Sequence, residues 1–131
     1  MRAMTPATDR RLRQRPGMSV DHNPYCPVAR TLDIIGDRWS VLILRDLVRE
    51  GPRRFQDLQH SLARVSPNTL SARLKTLEEH GIIERRLYEH HPPRAEYLLT
   101  AKGDELRPVL RALRQWGEKH TKGPKAGSRQ A

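Results

Sequence analysis

Asn68, Thr69, Ser71, Arg73, Lys75 and Thr76 crowd into the run SPNTLSARLKTLEEHG, residues 66–81, and their side chains are of the kinds that read other polar surfaces. An Asn amide pairs a donor with an acceptor and fits the edge of adenine, whereas Arg and Lys donate to guanine or to phosphate oxygens. Leu70, Leu74 and Leu77 recur between them at i, i+4 and i+7, which predicts a helix with one buried stripe. Helical geometry then turns Asn68, Ser71, Ala72, Lys75 and Thr76 outward, with Thr69 and Arg73 on the flanks. Glu78 and Glu79 fall at the far end, where acids would be kept away from a polyanion. Taken alone, the same pattern also describes a solvated amphipathic helix.

The neighbouring residues are those needed to hold such a helix in place. Ser66 is a strong N-cap, and Pro67 suits the first helical position, where no amide hydrogen is missed. Gly81 ends the helix without the penalty that other residues carry in the left-handed region. Two extended runs follow, Ile82 to Glu89 and Ala95 to Thr100, joined by His90-His91-Pro92-Pro93-Arg94. A capped helix running into a hairpin with a basic tip has the outline of a recognition helix and a wing. Candidate DNA contacts are therefore Ser66, Asn68, Thr69, Ser71, Arg73, Lys75 and Thr76 on the helix, with His90, His91 and Arg94 at the tip. An Arg in that position can enter a narrow minor groove. Arg85 and Arg86 can touch phosphate or simply solubilise the strand. The two His make a poor chelate, because adjacent strand residues point to opposite faces, and no metal or other cofactor is expected.

Upstream, Val28, Leu32 and Ile35 form a first helical stripe after Cys26-Pro27, and Gly36 ends that helix. Asp37 caps the next, Arg38 to about Arg49. Its Trp39, Val41, Leu42, Ile43, Leu44, Leu47 and Val48 lie almost all round it, which predicts the central, most buried helix. Gly51-Pro52 stops it, Phe55, Leu58 and Leu62 mark a short third helix, and Ala63-Arg64-Val65 has the length of a helix-turn-helix turn. After the hairpin, Thr100 caps a last helix with Leu106, Val109, Leu110, Leu113 and Trp116 as its stripe, bent at Pro108. The fold class that follows is mainly α with a small β-hairpin, a winged helix-turn-helix.

Charge agrees with a polyanionic partner but does not identify it. The 131 residues carry a formal charge of +10 and a pI near 10.8. Residues 1–24 hold five Arg and two Asp, and residues 119–131 hold three Lys, one Arg and no acid, which leaves only +3 for residues 25–118. Most of the excess thus lies in tails suited to non-specific tethering on DNA, RNA or an anionic surface. The expected organisation is a disordered basic arm at 1–24, one domain at 25–120 and a disordered basic tail at 121–131. No apolar signal-peptide core or membrane-spanning run is present, so a cytoplasmic location is expected. The lone Cys26 excludes an intrachain disulfide and a cysteine metal cluster.

An ordered set of segments resembles the HxlR-type winged helix-turn-helix transcriptional regulators. It comprises Cys26-Pro27-Val28-Ala29-Arg30, Gly36-Asp37-Arg38-Trp39, Leu42-Ile43-Leu44-Arg45-Asp46-Leu47, Pro52-Arg53-Arg54-Phe55, Ser66-Pro67 and Leu70-Ser71-x-Arg73-Leu74. It continues with Leu77-Glu78-x-x-Gly81-Ile82-Ile83 and Pro92-Pro93-Arg94-x-Glu96-Tyr97-x-Leu99-Thr100-x-x-Gly103, and runs from Cys26 to about Trp116-Gly117. Ala95 departs from the family's usual larger apolar residue, and the Arg-rich arm is extra. The resemblance implies a DNA-binding homodimer on an inverted repeat, with first and last helices at the dimer interface and the fourth helix in a major groove. Leu106, Leu110, Leu113 and Trp116 are the expected interface stripe. Some members of the family carry a reactive cysteine at the Cys-Pro position, which makes Cys26 a candidate redox or electrophile sensor. Its place at a helix N-terminus, where dipole and free amides favour negative charge, points the same way. The plainer reading is a packed, inert cysteine.

Two other classes compete. An enzyme would need a third group beside Cys26 and His22, and the chain offers no paired carboxylates, phosphate loop or metal set. A winged-helix module for protein or RNA would bind duplex weakly and without regard to Asn68 or Lys75.

Overall fold

The computed structural model describes residues 25–124. The basic arm expected at 1–24 and the tail beyond residue 124 lie outside the described residues.

Helix α1, Pro27–Ile35, starts from Cys26 in extended conformation with Pro in its first turn, and closes at Gly36, whose N–H donates to the Leu32 carbonyl. Only Ile35 of its apolar stripe is buried; Val28 and Leu32 are 67% and 57% exposed. Helix α2, Arg38–Glu50, is capped by Asp37, whose carboxylate accepts from the N–H groups of Trp39 and Ser40 at 2.9 and 3.2 Å. It ends at Gly51, which adopts a φ of 79°. One side of α2 buries Ile43, Leu44 and Leu47 completely, whereas Val41, Leu42 and Val48 beside that face are half-buried and Arg49 is exposed. The expectation of a helix buried all round therefore holds for its core face only.

Helices α3, Phe55–Ser61, and α4, Pro67–Glu79, complete the helix-turn-helix. Leu58, Leu62 and Val65 from the first helix and the turn meet Leu70, Leu74 and Leu77 of α4 in the same core. Each such fully buried side chain stabilises the fold by about 1.5–3 kcal/mol. Helix α4 begins as expected: Ser66 Oγ accepts from Thr69 N–H at 3.1 Å. At its other end Gly81, at φ 73°, donates to Glu78 and Ile82 donates to Leu77, a pair of bonds that satisfies the last carbonyls.

Strands β1, Ile83–His90, and β2, Pro93–Leu99, pair antiparallel from Ile83↔Leu99 to His90↔Pro93. The connection is only His91-Pro92, shorter than the five-residue loop expected, so His90 and Arg94 belong to strands. A bulge between Leu87 and Glu89 shifts the register at Tyr88. Arg53 adds a bridge on the other edge of β2, exchanging both backbone hydrogen bonds with Tyr97 at 2.9 and 2.7 Å. That contact pins the hairpin to the segment between α2 and α3.

Thr100 closes the base of the hairpin. Its hydroxyl donates toward the Gly81 and Ile82 carbonyls at 2.6 and 3.1 Å and accepts from Gly103 N–H at 3.0 Å. Lys102 adds a bond to the His80 carbonyl at 2.8 Å. Gly103 is buried so tightly under Ile82 that a β-carbon would collide with the Ile82 carbonyl. The helix that Thr100 caps is short, α5, Ala101–Asp104, and a separate α6 spans Arg107–His120. A single helix bent at Pro108 was expected. Pro108 instead lies in the first turn of α6, where its missing N–H costs nothing. Leu106 and Leu110 pack against the core, but α6 buries no residue fully. Among the described residues no helix is long and apolar enough to cross a membrane.

Candidate nucleic-acid interface

The leucine stripe of α4 fixes what its opposite face presents. With Leu70, Leu74 and Leu77 in the core, Asn68, Ser71, Ala72 and Lys75 are exposed together on the outer face, and Glu78 and Glu79 are exposed at the far end. Asn68 and Lys75 have no side-chain partner among the described residues, so both are free to accept an incoming one. Ser66 and Thr69 are otherwise engaged: the Ser66 hydroxyl donates to Thr69 Oγ1 at 3.0 Å while it caps the helix. Thr69 and Thr76 are half-buried.

Arg73, expected to read guanine or hold a phosphate, also has a partner within the chain. Its Nε lies 3.2 Å from Oδ2 of Asp37, the carboxylate oxygen that caps α2. The angle does not make a hydrogen bond of this contact, and the Nε is otherwise buried without an acceptor. Arg73 is therefore first an ion pair joining α4 to α2, with 39% of its side chain left exposed.

The hairpin is also more neutral than its sequence suggests. Arg94 pairs with Glu89 at 3.1 Å and Arg86 with Glu96 at 2.8 Å, each across the two strands. Arg85 is exposed and has no such acid among the described residues, so it is the strand cation most available to a phosphate. His90 and His91 are both exposed.

One cationic group near the hairpin was not foreseen. Arg54, just before α3, lines a cleft of about 340 Å³ with Phe55, Tyr88 and Arg94. Its guanidinium grips Asp57 at 3.0–3.1 Å, and Asp57 also accepts from the Arg54 N–H at 3.0 Å. The side-chain bond, followed by the backbone bond, holds the Asp57 carboxyl down at about 2. The same partner, with a lesser contribution from Tyr88, raises Arg54 further above its ordinary value. The only sequence signal was the Arg53-Arg54 pair before an apolar residue; its proximity to the wing depends on the Arg53–Tyr97 bridge.

The residues expected at a dimer interface divide into two sets. Leu106 and Leu110 are used by this chain's own core. Leu113 and Trp116 are 54% and 62% exposed, and Val109 on the same side is 41% exposed. Cys26 is half-buried at the start of α1, and its thiol makes no capping hydrogen bond.

Residues 34–124 match the model of the HxlR-like helix-turn-helix family. An HTH-type transcriptional regulator of Synechocystis sp. is 46% identical over 92 residues, which is 70% of this chain and 67% of that protein. Among solved structures, the redox regulator HypR in its oxidised form aligns with a TM-score of 0.69 at 33% identity, over 75% of this chain and 100% of that one. The reduced form of the transcriptional regulator YodB from Bacillus subtilis aligns with a TM-score of 0.63 at 32% identity, over 72% of this chain and 93% of that one.

Proposed function

The chain belongs to the HxlR-like helix-turn-helix family of DNA-binding transcriptional regulators, and on that premise we propose that it acts as a homodimer on an inverted-repeat operator. The observation that carries the reading is the outer face of α4, where Asn68, Ser71 and Lys75 stand exposed over a fully buried leucine stripe. Asn68 suits adenine and Lys75 suits guanine or phosphate. Two copies related by a two-fold axis would place their α4 helices about one DNA turn apart, or a multiple of it. The surface for that pairing is the exposed apolar side of α1 and α6, Val28, Leu32, Leu113 and Trp116. Action on chromosomal DNA implies a cytoplasmic location.

The test is binding of the full chain to an operator selected from genomic fragments, compared with random duplex. Asn68→Ala or Lys75→Ala should weaken operator binding by roughly 1–3 kcal/mol and random binding far less. Equal losses on both would reduce these residues to phosphate contacts.

A redox response through Cys26 extends this reading. It is supported by the half-buried thiol, uncommitted to capping, and by the likeness to HypR, a protein titled a redox regulator. A peroxide would transfer one oxygen to the thiolate as hydroxide leaves, giving a sulfenic acid. With no second cysteine in the chain, that acid condenses with a small thiol or with Cys26 of the other copy, releasing water. Either product would displace α1 at the dimer surface and change the spacing of the α4 helices. Operator affinity before and after peroxide or diamide, with Cys26→Ser as control, tests it. Unchanged affinity while mass spectrometry shows Cys26 modified would end the idea.

A further inference from the structure

A second cavity lies away from the α4 face. It is a groove of about 760 Å³ between α2 and α6, floored by Val41, Leu42, Val48 and Leu110, with Leu113 at the rim. Five arginines border it, Arg45, Arg49, Arg107, Arg111 and Arg114, against the one carboxylate of Glu118. On α2, Arg45 and Arg49 project roughly opposite to Leu47, a residue that shares a core with α4. These two cations therefore face away from the core that α2 shares with the DNA-reading helix, toward the α6 arginines that line the same groove.

Their pairing tells what they have left to give. Arg45 is held by Asp46 at 2.8 Å, and Arg107 by Asp104, both acids lying outside the groove lining. Arg114 meets Glu118 at 3.3 Å, in a pair where both side chains are more than 60% exposed. Arg49 is 3.9 Å from Glu50. Arg111 has no ion-pair partner among the described residues. Five cations thus border a floor of aliphatic side chains while Asp46, Glu50 and Asp104 lie outside the lining, and one of the five, Arg111, has no ion pair among the described residues.

We propose that this groove binds a small amphipathic monoanion, an organic acid whose apolar body lies on Val41, Val48 and Leu110 while its carboxylate meets Arg111 and Arg49, with Leu113 at the rim left to the two-fold mate. The volume is that of a small-molecule site, and a few placed polar groups on an apolar lining are what such sites consist of. A second copy is the less suitable occupant. The polar side of α6, rich in Arg107, Arg111 and Arg114, would meet its own like charge there, whereas Leu113 and Trp116 offer a two-fold mate an apolar side.

The experiment is calorimetric titration of the full chain with octanoate, using octan-1-ol as the uncharged counterpart and acetate as the anion without a body. Octanoate should bind saturably, one molecule per chain, in the millimolar range or tighter, and both controls at least about tenfold more weakly. Arg111→Gln, an exposed change that leaves the fold intact by thermal unfolding, should cost roughly tenfold to a hundredfold, the loss of one charge-assisted bond. Arg49→Gln should cost less, and the double variant more than either. Octanoate bound equally by the double variant would reduce the groove to a nonspecific apolar patch and overturn the proposal. Absence of saturable binding together with weaker dimerisation of the double variant would mean that a second copy fills the groove, and would overturn it as well.

Discussion

Arg73 Nε stands 3.2 Å from Asp37 Oδ2, so one carboxylate caps α2 and anchors the side of α4. Both duties can be separated by substitution. Asp37→Ala removes cap and charge and should lower stability by about 1–2 kcal/mol in urea unfolding. Asp37→Asn keeps an acceptor for Trp39 and Ser40 and should cost markedly less. If the two variants unfold alike, the ion pair rather than the cap dominates.

Freeing Arg94 from its strand partner gives a gain-of-binding experiment. Glu89→Gln removes the acid 3.1 Å from Arg94 Nε. Affinity for any duplex should rise a few-fold, and the slope of log affinity against log salt should steepen by up to about one unit. An unchanged slope would place Arg94 off the DNA.

Leu113→Asp tests the proposed dimer. Leu113 is 54% exposed, so the charge should leave each subunit folded while disrupting the pairing surface. Light scattering at micromolar concentration should give a dimer for the native chain and a monomer for the variant, and the variant should lose operator binding. A native monomer would count heavily against the proposal.

The Asp57 carboxylate titrates at about 2 in the folded chain against an ordinary 3.8, so its contribution is present above the ordinary value and is lost as pH falls through the lower one. Asp57→Asn should therefore be less stable than the native chain by a few tenths to about 1 kcal/mol at neutral pH, a modest figure because the pair is partly solvated. The gap should close between about pH 4 and pH 2 in acid unfolding curves. A gap that persists at pH 2 would trace the effect to helix propensity instead of charge.

What could be read from the sequence depended on the range of the forces involved. Ser66, Pro67 and Gly81 delimit α4 through bonds to residues a few positions away, so its limits and outer face were legible. The hairpin tip was not, because two adjacent prolines suggest a loop, whereas a two-stranded sheet has open edges that tolerate Pro93. Pro108 was placed in a helix interior because the Leu106–Trp116 stripe is continuous; the break at Glu105 lets that stripe start a new helix with the proline in its first turn. The pairing of Arg73 with Asp37 and the Arg53–Tyr97 bridge join distant segments, and no local pattern announces them.

Helix α6 has 14 residues, a length at which an isolated helix in water is marginal, and beyond Leu110 none of its side chains packs into the hydrophobic core of the described residues. If a second copy supplies that support, secondary structure here becomes a function of protein concentration. Diluting the chain through its dimer dissociation constant should melt the segment from Leu113 to His120 while the core stays folded, so that far-ultraviolet dichroism and the emission of Trp116 report self-association directly.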